Sequence, residues 1–367
     1  MGMGLKGGSG LLGPNGKVKI ADVARLAGVS PATVSRALNH PQIVRSELRE
    51  KVARAISDLA YTRDSAARAL KSRRTHTIGA IVPTLGISIF AEGVEALQNR
   101  LSEHGYTLLI GNSQYDTRRE QQEARALIER GVDGVVLVGD AQTPELHALL
   151  RQHNVPYVTT YVPSAREGVP AIGIDNRKAT YDLTSYLMGL GHREFGVVAN
   201  VPASNDRSRA RLDGVTQALD DAGLALPAER LVRADHSLAQ GRMALRHLVT
   251  TAPEITALVC TTDTLAIGAL AEARAMGLKV PLELSVTGFD DIELSSQCEP
   301  SLTTISIPAA EIGRAAADHL VNAVMGLAIP PLDPLPYRLI VRGSTASPRA
   351  ARAARAGARA RKAAAVD

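Results

Sequence analysis

The chain has no tryptophan, only three phenylalanines and only two cysteines among 367 residues. Two cysteines exclude a disulfide-built scaffold. Cys260 and Cys298 sit in apolar or loop context without metal-site spacing, so they read as bystander thiols of a reducing compartment. No apolar run reaches the roughly 18 residues needed to span a bilayer. The opening MGMGLKGGSGLLGPNGK lacks a charged region followed by an apolar core and a cleavage site, so it does not read as a secretory signal. A cytoplasmic protein without a membrane partner is the natural expectation. Aromatic residues make up 3% of the chain, which predicts poor provision for stacking against a pyranose face or a purine.

What is present is a segregation of charge. The formal net charge is +5, yet residues 17–76 carry 13 Lys and Arg against 5 Asp and Glu, and residues 77–347 carry 22 against 31. Residues 348–367 add 6 basic and 1 acidic residue. A basic end on an acidic body suits a protein that presents one end to nucleic acid. The length exceeds what one core usually holds, and a hydrophobic content of 45% can build two or more domains.

The basic region contains KVKIADVARLAGVSPATVSRALN, Lys17 to Asn39, and the rest of the chain is organised around it. Ile20, Val23, Ala24 and Ala27 recur at helical spacing, which turns an apolar stripe inward and leaves Asp22 and Arg25 to solvent. Gly28 ends this helix in the left-handed conformation, with Val29 tucked under the turn. Ser30 caps the next helix and Pro31 takes its first position, where a missing N–H costs nothing. That helix, Pro31 to Leu38, buries Val34, Ala37 and Leu38 and turns Ala32, Thr33, Ser35 and Arg36 outward. Hydroxyls that bind phosphate beside an arginine that reads guanine make a helix-turn-helix pattern. The bland alternative is a helical hairpin whose polar face meets water.

A third helix, Arg45 to Ala60, closes a small core with Leu48, Val52, Ala55, Ile56 and Leu59, and Tyr61 ends it. In Thr62 to Arg74, Asp64 or Ser65 can cap a short helix from Ala66 to Leu70 that is marginal in water by itself. A plain interdomain linker is the alternative. From Thr77 strands and helices alternate. Ile78–Val82, Tyr106–Ile110, Gly134–Val138 and Tyr157–Thr160 form one series. Ala171–Ile174, Phe195–Ala199, Leu231–Arg233, Ala257–Cys260 and Ser285–Phe289 form a second. Apolar strands between helices predict parallel sheets buried on both faces. The fold class is therefore α/β: a small all-α headpiece followed by two doubly wound lobes.

DVA, AGVS and TVSRALN in order, followed by Val44, Arg49-Glu50-Lys51-Val52 and Leu59-Ala60-Tyr61, resemble the DNA-binding headpiece of the lactose and galactose repressor family. The resemblance continues to about Gly343. It implies base-reading positions at Pro31, Ala32 and Arg36, with Thr33, Ser35 and Asn39 near phosphates. Pro31 and Ala32 cannot hydrogen-bond a base, so readout leans on Arg36 and on apolar contact from Ala32. It also implies a hinge helix in which Leu70 wedges into the minor groove beside Ala67, with Arg68 at a phosphate. Finally it implies a periplasmic-binding-protein-like core crossed near Val162, Ile307 and Gly326, a homodimer on a palindromic operator, and control by a small effector. The divisions are a disordered segment 1–16, a DNA-binding domain 17–62, a hinge and linker 63–76, and an effector core 77–347. Within the core one lobe is 77–162 with 307–326 and the other is 163–306 with 327–347. A basic tail, 348–367, has no leucine heptad and cannot form a coiled coil.

Ligands of open parallel sheets sit beyond the carboxyl ends of the strands. The candidates there are Ile87, Ile89, Phe90 and Tyr161 from one lobe, and Asn205, Arg207, Arg211, Thr262, Asp263 and Asp290 from the other. Carboxylates accept from hydroxyls and arginines donate, which suits a polyhydroxylated ligand. The resemblance makes Arg211 and Asp290 direct effector contacts. Asp263, in TDTLAIGAL, is read either as a ligand contact or as a cap of a helix starting at Leu265. Thr262 stands where the family often has asparagine, and Ala309 where it often has an aromatic. Two arginines near Asp290 suggest a sugar acid, with a neutral sugar on Arg211 and Asp290 alone as the competitor. No metal or cofactor is expected. Asp263, Asp290 and Asp291 could serve an enzyme, but no companion nucleophile or phosphate loop accompanies them, and His192 reads as a turn residue. A sugar-binding protein or sugar-processing enzyme on the same two lobes is the alternative.

Overall fold

A computed structural model describes residues 18–62, 74–163, 168–200 and 204–348. The chain divides into two units, Met1–Thr75 and His76–Asp367. The proposed hinge residues Ala67, Arg68 and Leu70, the tail beyond residue 348 and the first 17 residues lie outside the described residues.

Among the described residues the first unit holds three α-helices, α1 Ile20–Ala27, α2 Pro31–Asn39 and α3 Ser46–Asp58, with a 3-10 turn Pro41–Ile43 between the last two. Gly28 closes α1 at φ 66°, and the Val29 N–H reaches back to the Ala24 carbonyl at 3.0 Å. Ser30 Oγ accepts the Thr33 N–H at 3.1 Å. Val23, Ala24, Val34, Val52 and Ala55 form the buried centre, with Ile20, Leu38, Ile56, Leu59 and Tyr61 packed around it. Asp22 corrects the sequence reading. It is buried rather than solvated, because its carboxylate accepts the Lys19 N–H at 2.9 Å and pairs with Arg25 at 3.1 Å. The first turn of a helix leaves N–H groups without partners, and a carboxylate placed there satisfies one of them and complements the helix dipole. Helix α3 is shorter than the periodicity suggests: Arg45 is its N-cap, and Ala60, at φ 46°, lies in the turn that follows it.

The second unit holds two parallel sheets. The first has the order β2-β1-β3-β4-β5, from β1 Thr77–Val82, β2 Thr107–Asn112, β3 Gly134–Val138, β4 Tyr157–Thr160 and β5 Ala171–Ile172. The other has the order β7-β6-β8-β9, from β6 Phe195–Ala199, β7 Leu231–Arg233, β8 Ala257–Cys260 and β9 Ser285–Thr287. A short antiparallel pair, β10 Thr304–Ser306 with β11 Arg338–Ile340, lies beside it through the bridges Thr287–Thr303 and Asp290–Ser306. The placement of Ala171 differs from the sequence reading. Ala171–Ile172 pairs with Thr159–Thr160 and is the edge of the first sheet, not the start of the second. A short apolar run announces a strand but not which sheet it joins, since that is decided by pairing partners distant in sequence.

The helices of this unit are α4 Ser88–Glu103, α5 Thr117–Glu129, α6 Pro144–Gln152, α7 Asn176–Gly189, α8 Asp206–Asp221, α9 Leu238–Thr251, α10 Asp263–Ala275, α11 Glu293–Gln297 and α12 Ala309–Met325. Helix α12 returns the chain to the first lobe, against α4 and strands β3 to β5. There the backbones of α4 and α12 come so close that a Cβ on Gly313 would overlap the Gly93 carbonyl. Arg100 Nε donates to Asp318 Oδ1 at 2.6 Å across the same pair of helices. Among the described residues no helix is long and apolar enough to cross a membrane, and no cluster of His, Cys, Asp and Glu could hold a metal ion. Cys260 is buried and Cys298 half-buried, and both are free thiols.

Candidate functional site

Two surfaces hold the residues singled out from the sequence. On the headpiece, Pro31, Ala32, Arg36 and Asn39 are exposed along α2, with Thr33 and Ser35 half-buried between them. The Thr33 hydroxyl lies 2.9 Å from Ser30 Oγ, and Asn39 Nδ2 donates to Ser35 Oγ at 3.3 Å. The outward face thus combines small side chains, paired hydroxyl and amide groups, and one exposed guanidinium.

The second surface is the cleft between the two lobes of the core, where the carboxyl ends of both sheets meet. A narrow cavity there is lined by Ile87, Ile89, Phe90, Tyr115, Tyr161 and Ile307 on one side. Asn200, Asn205, Arg207, Arg211, His236, Thr262 and Asp290 line the other. Nine of the ten sequence candidates are therefore brought together, and Asp263 is not among them.

Asp263 is fully buried behind the cavity. Its carboxylate accepts from Ser295 Oγ at 2.7 Å, Thr304 Oγ1 at 2.5 Å and the Ile292 N–H at 2.9 Å. It ties three segments of the second lobe together, and the N-cap role belongs to Thr262, whose hydroxyl accepts the Leu265 N–H. Asp291 is likewise committed, to Arg342 Nη2 at 2.7 Å. His192 bridges Thr256 Oγ1 and the Ala346 carbonyl, each at 2.9 Å.

Arg211 is the centre of the polar wall. It projects from α8 with Nε on Asn176 Oδ1 at 3.0 Å and Nη1 on the Thr261 carbonyl at 2.9 Å, while its Cζ lies 3.7 Å above the Phe289 ring. Asp290 Oδ1 is 3.2 Å from Nη1. Asn176 also donates to the Tyr161 carbonyl at 3.0 Å, which links the arginine to the crossing between lobes. Burial pushes the Asp290 carboxyl up to about 7 against the pull of Arg211, and the same burial lowers the arginine. Burial of a guanidinium is tolerated here because a carboxylate, a carbonyl, an amide oxygen and an aromatic face share its charge.

Arg207, one turn earlier on α8, is held differently. Its Nη1 donates to Asp206 Oδ1 at 3.0 Å and packs on Gly139 of the opposite lobe, where a Cβ would overlap it. Gly139 is at φ 84°, a second reason for glycine there. Asp206 Oδ2 meanwhile accepts the Asp140 N–H at 2.8 Å. The first lobe answers with rings: Phe90 and Tyr161 meet edge to face at 5.2 Å, and the Tyr161 hydroxyl donates to the Ile89 carbonyl at 3.0 Å. Tyr115, Phe90 and Tyr161 all line the cavity, so the low aromatic content does not leave the cleft without rings, contrary to the sequence expectation. Tyr115, Tyr161 and Asp290 have φ of 58°, 64° and 121°. Non-glycine residues in such conformations persist where the surroundings over-determine them, as at ligand clamps.

Residues 19–64 match the profile described as bacterial regulatory proteins, lacI family, and residues 75–359 match periplasmic binding proteins and sugar binding domain of LacI family. The chain belongs to the LacI family. It is a DNA-binding transcriptional regulator with an effector-binding core. Over 326 residues it is 35% identical to the HTH-type transcriptional repressor CytR of Escherichia coli strain K12, covering 88% of this chain and 95% of that one. The lac repressor dimer bound to operator and the anti-inducer ONPF superposes with a TM-score of 0.79 at 26% identity, over 90% of this chain and 99% of that one. The transcriptional regulator CelR in complex with cellobiose superposes at 0.65 with 29% identity, over 89% and 100%.

Within this LacI-family cleft, sequence reasoning missed Tyr115, Asn200, His236 and the lining role of Ile307. Asn200 and His236 follow strands β6 and β7, so a full reading of every strand end could have found them. Asn200 is pinned by its N–H on Thr261 Oγ1 at 3.1 Å and its Nδ2 on the Ala234 carbonyl at 2.9 Å. Ala309, where the family often carries an aromatic, is fully buried at the start of α12.

Proposed function

We propose that this regulator binds a palindromic operator as a homodimer through Pro31, Ala32, Thr33, Ser35, Arg36 and Asn39, with Ala67, Arg68 and Leu70 as its hinge contacts. We further propose that a neutral, polyhydroxylated effector in the cleft controls it. Such a protein acts where the DNA is, in the cytoplasm. The reading of α2 rests on its exposed face, where a lone guanidinium among small side chains matches the way arginine approaches a guanine edge.

The effector class rests on one observation: each arginine of the cleft already has a carboxylate, Asp206 for Arg207 and Asp290 for Arg211. A ligand carboxylate entering this balanced pair of ion pairs would compete with an acid already in place, whereas hydroxyls can both donate to Asp290 and accept from the Nη2 edge of Arg211. The rings of Phe90, Tyr115 and Tyr161 supply an apolar face for the carbon side of a sugar ring. This reverses the preference for a sugar acid. Thermal shift of the purified protein with neutral sugars and their matched aldonic acids tests it, since a ligand that binds only the folded state raises the melting temperature. Neutral sugars are expected to give the larger shift, and a larger shift from the acids would overturn the assignment.

A further inference from the structure

The core receives its two chain ends at opposite places. The carboxyl ends of both sheets face the cleft, so their amino ends point away from each other. The chain enters at the amino end of the first sheet: His76 precedes β1, its carbonyl accepts the Thr107 N–H at 2.9 Å, and its own N–H donates to Asp133 Oδ2 at 2.8 Å. It leaves at the amino end of the second sheet. There the Ser344 carbonyl accepts the Val286 N–H at 2.9 Å, Ser344 Oγ donates to the Val286 carbonyl at 2.6 Å, and Ser285 Oγ donates to the Ala346 carbonyl at 3.1 Å. His192 shares that carbonyl at 2.9 Å, and Tyr186 and Thr303 hold the Thr345 hydroxyl at 3.0 Å each. Pro348 lies against the turn before β6, where a Cβ on Gly191 would meet it at 3.6 Å.

The residues beyond Pro348 thus start from a fixed point, and their composition is one-sided. Arg349, Arg352, Arg355, Arg359, Arg361 and Lys362 are set among alanines and a glycine, with a single acid, Asp367. They include no aromatic and no leucine, so this segment lacks the anchors by which a chain settles on a protein surface or in a bilayer interface. What it offers is charge. The attraction of DNA phosphates for lysine and arginine is independent of sequence and needs nothing else. At the exit point Glu194 and Glu254, which precede β6 and β8, are already paired with Arg230 at 2.6 Å each. Arg193 beside them is exposed and adds a further cation to that end of the core.

We propose that residues 349–362 are a second DNA-contact element, which takes a duplex other than the one held by the headpiece, so that one protein bridges two stretches of DNA. Distance decides between one duplex and two. A compact core of this length has a radius of gyration of about 19 Å and thus a diameter of about 50 Å. Fully extended, the chain places even Lys362 no more than about 50 Å from Pro348. The segment would have to run straight along the whole core to reach the end where the chain leaves for the headpiece, and the arginines nearer to Pro348 could not arrive there. A duplex on its own side is met without that loss of conformational freedom. The headpiece reads one site, and the second element holds neighbouring DNA without regard to sequence. What occupies the cleft does not bear on this inference.

Short random-sequence duplexes, each carrying one of two dyes, test the proposal when mixed with the full-length protein and scored for complexes that hold both colours. Two-colour complexes are expected at about 50 mM salt and are expected to fall at least about tenfold at about 200 mM, because each phosphate contact releases a counterion. In the variant combining Arg349→Gln, Arg352→Gln, Arg355→Gln, Arg359→Gln, Arg361→Gln and Lys362→Gln, pairing at low salt is expected to fall about tenfold while affinity for a single duplex changes by less than about threefold. Replacing the five arginines by lysine keeps the charge and is expected to keep the pairing. Pairing that survives the glutamine changes would assign the bridge to the headpieces and overturn the proposal. A single-duplex affinity that falls as far as the pairing would put both elements on one duplex, which overturns it equally. So would a protein that pairs no duplexes, including one that floats with phosphatidylglycerol vesicles through the same basic residues.

Discussion

Arg36 and Arg211 are the same residue put to opposite uses. Arg36 stands exposed on the helical headpiece, whereas Arg211 is buried among Asn176, Thr261, Phe289 and Asp290. The headpiece keeps its functional groups outside a small apolar core, so function and stability are separable there. The cleft builds its functional groups into the packing between strands, so there they are not. A surface that must meet a partner as large as DNA can be solvated until contact, while a pocket for a small ligand has to be organised beforehand.

The contrast breaks most visibly at Arg211. Arg211→Ala leaves Asp290 buried without its partner, and loss of one member of a buried pair costs about 3–5 kcal/mol. Urea unfolding at pH 8 is expected to show a loss of that size, reduced in the double variant Arg211→Ala with Asp290→Asn. A loss below about 1 kcal/mol would put Arg211 in the same class as Arg36.

The next effect is on pH dependence. Asp290 and Glu120 both bind protons more tightly in the folded state than in the unfolded chain, with folded values of about 7. Between about pH 4 and pH 7 the folded state therefore carries more protons, so stability falls as pH rises through that window and levels off above it. Glu120→Gln is expected to remove its share of the decline, on the order of 3 kcal/mol, because each tenfold gain in proton affinity on folding is worth about 1.4 kcal/mol. Unfolding curves across pH 4.5 to 8 measure it, and parallel curves for protein and variant would contradict the raised carboxyl.

The smallest change in stability is expected at Arg36. Arg36→Ala should cost about 1–3 kcal/mol on the cognate operator and change unfolding by less than about 0.5 kcal/mol. Binding to operator and to random DNA at one salt concentration separates readout from phosphate contact, since equal losses on both would leave Arg36 without a base to read.

These differences also explain what could be read in advance. The headpiece face was legible because exposed residues on a short helix are placed by local spacing alone. The strand ends Gly134–Val138, Tyr157–Thr160, Phe195–Ala199 and Ala257–Cys260 were legible for the same reason, and with them came Arg211, Thr262 and Asp290. Asp263 was not, because its carboxylate is claimed by Ile292, Ser295 and Thr304, which no spacing rule brings near it. Asp22 was misjudged because helical periodicity sorts side chains by polarity and does not see the unpaired N–H groups of the first turn. Tyr115 was hidden by backbone: two successive left-handed residues turn its ring into the cleft, and no propensity announces them. The scarcity of aromatics misled because a count over the chain does not reveal that Phe90, Tyr115 and Tyr161 gather at one wall.

The contact of α4 with α12 has a mechanical meaning. Two helices whose backbones touch at Gly93 and Gly313 cannot slide by the slack that long side chains provide, and Arg100 with Asp318 pins them further along. Helix α4 carries Phe90 in its first turn at the cleft, and α12 begins two residues after Ile307, in the strap that crosses between the lobes. Any displacement of that strap therefore bears, through the glycine contact, on the helix that carries Phe90 of the aromatic wall.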